Sequence, residues 1–198
     1  AETHMKMACG DRKAAARVAI LDPELTMTQP ASVTAHTGID ALTHAIESAV
    51  TKSRSAVSMA YSKLAFSLLN DGFEAVIKNP ECLESRAKAL LGAAYAGVAI
   101  ENSMLGAAHA AANPLTAHFG VVHGQAVGVM MPHVIEFNSV DEQIRGIYKS
   151  LYPGNLSERV SDLMAMVGMP AGISGYGIND GLIRILADEA GGQWTAGF

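Results

Sequence analysis

Along the chain, apolar positions recur at intervals of three and four residues far more often than in alternation, which is the spacing of helices that bury one stripe. Segment 31–50 places Leu42, Ala45, Ile46 and Ala49 on one face, and segment 55–78 does the same with Met59, Leu64, Leu68 and Leu69 before Asn79-Pro80 stops it. A third stretch, 85–112, is rich in alanine and almost wholly apolar beyond Ala89, so it is expected at the centre of a bundle and to break at Asn113-Pro114. After a loop over 119–124, further helices are expected at about 124–137, 141–152, 156–167 and 180–190. The run 17–22 is different: Val18, Ala19, Ile20 and Leu21 precede Asp22-Pro23, which predicts one buried strand closed by a turn. A lone strand cannot satisfy its own backbone groups, so this one is expected to be the last of a sheet whose other members lie outside the chain.

Composition supports a packed helical protein. Of 198 residues, 49% are hydrophobic and only 17% charged, which disfavours disorder, and aromatics are few. The net charge of -5 contains no basic block, which disfavours nucleic-acid binding. The longest apolar run, 126–132, is too short to span a bilayer. Cys9 and Cys82 stand in no Cys-x-x-Cys spacing and imply reduced thiols, so the expected location is cytoplasmic. The final residues stop without a cap or polar tail, which is the expectation for a truncated C-terminus.

Chemistry concentrates in a few histidines. Asp40 and His44 lie four apart, so on a helix they share a face with Cβ atoms about 5–6 Å from each other. They can share a cation, or form a surface pair that supports the helix slightly. His109 sits among alanines that offer its ring nitrogens no partner, so a metal, a carbonyl or a water must supply one. His123 precedes Gly124 at a helix start, where it can ligate or cap. Together these four supply three imidazoles and one carboxylate, a set suited to Fe²⁺ or Zn²⁺ and unsuited to Ca²⁺ or Mg²⁺. His36 is a candidate neighbour of the site and His118 lies on a loop near it, whereas His133 reads as structural and His4 as solvated.

Two long motifs carry a family resemblance. Gly38-Ile-Asp-Ala-Leu-Thr-His-Ala-Ile-Glu-Ser48 resembles one signature of the iron-containing (group III) alcohol dehydrogenases. His109-Ala-Ala-Ala-Asn-Pro-Leu-Thr-Ala-His-Phe-Gly-Val-Val-His-Gly124, followed by Met130-Met-Pro-His-Val134, resembles the other, and Asp22-Pro-Glu-Leu-Thr26 is similar to the family's interdomain junction. The resemblance implies an α/β nucleotide-binding domain followed by an all-helical domain. Residues 1–28 would be a remnant of the first domain and the hinge, and residues 29–198 the helical metal-binding domain. It also implies that Asp40, His44, His109 and His123 are the metal ligands, that Lys6 contacts the nicotinamide, and that NAD or NADP exchanges hydride with an alcohol or aldehyde in a homo-oligomeric enzyme. The family's Gly-Gly-Gly-Ser-x-x-Asp pyrophosphate loop is absent, and Asn113 stands where many members carry a second histidine linked to proton transfer. A non-catalytic helical metal-binding or dimerisation module, and a zinc-dependent glycerol or polyol dehydrogenase on the same architecture, are the competing readings.

Overall fold

The computed structural model describes residue 13 and residues 16–197, and these form eight α-helices. A 3-10 turn, Pro23–Thr26, leads into α1 (Ala31–Ser48), α2 (Ala56–Lys78), α3 (Leu83–Glu101), α4 (Ala107–Phe119), α5 (His123–Asn138), α6 (Glu142–Leu151), α7 (Leu156–Met166) and α8 (Asp180–Gly191). A second 3-10 turn, Ser174–Tyr176, precedes α8. Among the described residues there is no strand, and no helix is long and apolar enough to cross a membrane.

The all-helical fold class is therefore as expected, but several finer expectations fail. Residues 17–22 form no strand; the segment is irregular and its apolar side chains face outward, Val18 and Ile20 being 79% and 87% exposed. With no neighbouring strand to receive its backbone groups, a β ladder cannot form. The stretch 85–112 is not one helix but the end of α3 and the start of α4. The break falls at 102–106, where Asn102 Nδ2 and Ser103 Oγ donate back to the carbonyls of Val98 and Ala99 and close the last turn of α3. Pro114 lies inside α4, where it removes one backbone donor without ending the helix.

The central element is α1 rather than the alanine-rich α3. Helix α1 packs against α2, α3, α4 and α5. Its Ile39, Leu42, Ala45 and Ile46 have no exposed surface, each large aliphatic side chain contributing roughly 1.5–3 kcal/mol by leaving water. Helix α2 starts in a capping box between Ser55 and Ser58. Arg86 of α3 ties the entry turn down, donating from Nη1 to the Thr26 carbonyl at 2.7 Å and from Nε to that of Pro80 at 2.7 Å.

Candidate metal centre

Three of the helices bring the four predicted side chains together. Asp40 and His44 project from the middle of α1, His109 from the first turn of α4, and His123 from the first residue of α5. The position of His109 corrects the expectation that it sits late in a long helix. Helix α4 ends at Gly120, whose φ of 63° is the left-handed conformation that glycine adopts without penalty. The chain then turns within two residues into α5. Gly124 lets α5 lie against α1: a Cβ there would fall 2.0 Å from the His36 carbonyl oxygen. That close approach sets His123 beside Asp40.

Asp40 Oδ1 is the common point. It lies 3.3 Å from His109 Nε2, 3.5 Å from His44 Nε2 and 3.8 Å from His123 Nε2. One ligand atom from each of Asp40, His44 and His109 falls within 4.8 Å of the others. The His44 and His109 rings stack, with centroids 4.8 Å apart, and the His123 ring is tilted 5.4 Å from that of His109. His109 is 1% exposed; Asp40, His44 and His123 keep partial access to solvent.

Glu47 completes the arrangement, and the sequence reading did not single it out. Its carboxylate is 1% exposed. Oε2 sits 2.6 Å from His109 Nδ1 and also accepts from the Gly106 backbone N–H at 3.0 Å, while Oε1 accepts from the Ala108 N–H at 2.6 Å. A side chain from α1 thus caps α4, whose own Gly106 offers no capping group. It also fixes the tautomer: with Nδ1 donating to Glu47, Nε2 of His109 is the nitrogen directed at Asp40. A signal was available, because Glu47 lies three residues after His44 and so adds a carboxylate to the same apolar stripe of α1.

Electrostatics follow from this packing. Burial pulls His44 down to about 4, against the attraction of Asp40, so its ring is neutral at neutral pH. Burial also disfavours a charged His109, but hydrogen bonds to Asp40 and Glu47 and their negative charges outweigh it and push His109 up to about 9. Burial raises Asp40, yet its hydrogen bond to His109 and the three nearby imidazoles bring it down to about 2. The donor set passes a chemical test for a transition-metal ion: a carboxylate, a neutral imidazole, and a buried imidazole whose far nitrogen is already oriented.

A model of the C-terminal region of the Fe-containing alcohol dehydrogenase family matches residues 34–196. The chain belongs to that family. Long-chain-alcohol dehydrogenase 1 of Geobacillus thermodenitrificans is 32% identical over 189 residues, covering 88% of this chain and 48% of that protein. The NAD-dependent methanol dehydrogenase of Bacillus methanolicus is 33% identical over 199 residues, covering 94% of this chain and 52% of its own length. The solved structure of an iron-containing alcohol dehydrogenase from Thermococcus thioreducens superposes with a TM-score of 0.82 at 28% identity, covering 95% of this chain and 51% of that one. The chain thus spans about half the length of the relatives it matches.

Other candidates fall elsewhere. Lys6, His4 and Cys9, with residues 1–12, 14 and 15 of the 1–28 segment assigned to a nucleotide-binding domain and hinge, lie outside the described residues. His118 lies in the last turn of α4 rather than on a loop, and pairs with Glu189 at 2.7 Å on an exposed surface. His36 meets Gln125 at 3.3 Å, which links α1 to α5 beside the site. His133 is exposed. Asn113 stands one turn beyond His109 on α4, its Nδ2 donating to Gln193 Oε1 at 3.2 Å.

Proposed function

We propose that this chain is the metal-binding half of an alcohol dehydrogenase, acting with NAD or NADP as the hydride partner in alcohol oxidation and aldehyde reduction. Asp40, His44, His109 and His123 would hold one divalent cation, Fe²⁺ or Zn²⁺. The observation that carries this reading is the convergence of three imidazole Nε2 atoms, from α1, α4 and α5, on one carboxylate oxygen of Asp40. When bound, such a cation supplies Lewis acidity toward an alcohol or carbonyl oxygen.

The chain's own residues provide the rest. Asp40 contributes a negative charge held ionised at neutral pH. Glu47 anchors His109 from behind, so the ring needs no reorganisation when a ligand arrives. Asn113 can accept or donate a hydrogen bond but cannot titrate near neutral pH, so proton delivery in this reading does not pass through it. The Geobacillus relative is a long-chain-alcohol dehydrogenase and the Bacillus relative a methanol dehydrogenase, which supports an alcohol as substrate.

The test uses the full gene product that contains this chain, with NAD(P)H formation from primary alcohols as the readout. The wild type is expected to turn over, while His109→Ala and Asp40→Asn are expected to lose metal and activity together. Wild-type turnover by a variant shown to be metal-free would contradict the assignment.

A further inference from the structure

A pocket of about 460 Å³ opens between the start of α1, the end of α2 and the end of α7, and none of Asp40, His44, His109 and His123 lines it. Its volume is in the range that small molecules occupy. Met27, Val76, Ile77, Met166 and Val167 give it an apolar wall. Arg86, which is only 6% exposed, borders it.

Arg86 is unusual in its pairing. Nε is spent on the Pro80 carbonyl and Nη1 on Thr26, both neutral acceptors. Among the described residues no carboxylate lies within ion-pair distance of it, and its hydrogen bonds use Nε and Nη1 but not Nη2. A buried guanidinium without a counter-charge is costly, and one that keeps an N–H edge on a pocket is a ready anion receptor. The start of α1 reinforces it. Ala31 and Ser32 line the pocket, and the first turn of this 18-residue helix has no side-chain cap at Pro30, so its positive end is uncompensated. Glu81 also lines the pocket, exposed and beyond ion-pair distance of Arg86, and its negative charge disfavours a dianion more than a monoanion.

We infer that this pocket binds an amphiphilic monocarboxylate, with the carboxylate on Arg86 Nη2 and its aliphatic chain along Met27, Val76, Ile77, Met166 and Val167. The planar fork of a guanidinium matches a carboxylate, and the apolar wall accounts for a chain rather than an inorganic ion.

The test is calorimetric titration of the metal-stripped protein, so that the Asp40 centre takes no ligand through a cation, with octanoate, 1-octanol and inorganic phosphate in parallel. Octanoate is expected to bind well above the other two. Arg86→Met is expected to weaken it about ten- to hundredfold, the worth of a hydrogen bond to a charged group. Since Arg86 also ties Pro80 and Thr26, circular dichroism accompanies that variant. Ala31→Phe, at an exposed position on the pocket wall, fills the pocket without touching those ties and is expected to abolish binding. Absence of octanoate binding, equal binding of octanoate and octanol, phosphate binding as tight as octanoate, or undiminished octanoate binding by Ala31→Phe would each overturn the inference.

Discussion

Glu47 on α1 and His109 on α4 are joined by a 2.6 Å contact between Oε2 and Nδ1, with both side chains only 2% exposed. The pair lies behind the imidazole nitrogen that faces Asp40, and the same carboxylate caps α4. One residue therefore controls both where α4 begins and which nitrogen His109 presents.

Replacing Glu47 by Gln keeps the size but sets an NH₂ group against backbone donors that now meet carboxylate oxygens. Metal affinity is expected to fall about 10–100-fold, as for other partners of ligating histidines. Glu47→Ala is expected to destabilise the fold by roughly 3–5 kcal/mol, because it strips a buried charged partner. Chelator competition reads the first and urea unfolding the second. Unchanged affinity in Glu47→Gln would show that the contact has no bearing on the site.

The pH dependence of the metal-stripped chain has a definite sign. His109 is raised from 6.5 to about 9, so the stability it contributes is fully present below pH 6.5 and is lost as pH rises toward 9. His44 is lowered to about 4, so its share is present above pH 6.5 and is lost as pH falls toward 4. The melting temperature is expected to peak near pH 6.5 and to fall on both sides. A saturating divalent cation, which competes with protons for imidazole nitrogens, is expected to suppress the alkaline fall. A melting temperature that rises steadily from pH 6.5 to 9 without metal would contradict this picture.

Gly124→Ala tests the approach of α5 to α1. Its Cβ would meet the His36 carbonyl oxygen at 2.0 Å, and neither backbone can yield without moving His123. A loss on the order of 1–3 kcal/mol in unfolding free energy is expected, together with weakened metal binding. Equal stability and equal affinity would mean that the two helices have room to spare.

Much of this was legible in the sequence because it is local. The helical period of 31–48 and 56–78, the four-residue spacing of Asp40 and His44, and the two family motifs all lie within short windows. The rest depends on partners distant along the chain. The start of α4 is capped from Glu47, 59 to 61 residues upstream of the amides it receives, so local sequence around 102–106 shows the polar residues that close α3 but not the partner that begins α4. Asn113-Pro114 looked like the stop because proline breaks helices in isolation, yet packing of α4 against α5 and α8 holds the helix through it. The run 17–22 has the composition of a strand, but its conformation depends on neighbours to pair with. The central position of α1 likewise reflects topology, since α3 is the more uniformly apolar of the two by sequence.

Elemental analysis with calorimetric titration of Fe²⁺ or Zn²⁺ is the most direct test of the claim that Asp40, His44, His109 and His123 share one ion. The wild-type chain is expected to bind one cation per molecule, and His44→Ala, His109→Ala, His123→Ala and Asp40→Asn each to bind at least about tenfold more weakly. Wild-type stoichiometry and affinity in all four variants would contradict the account.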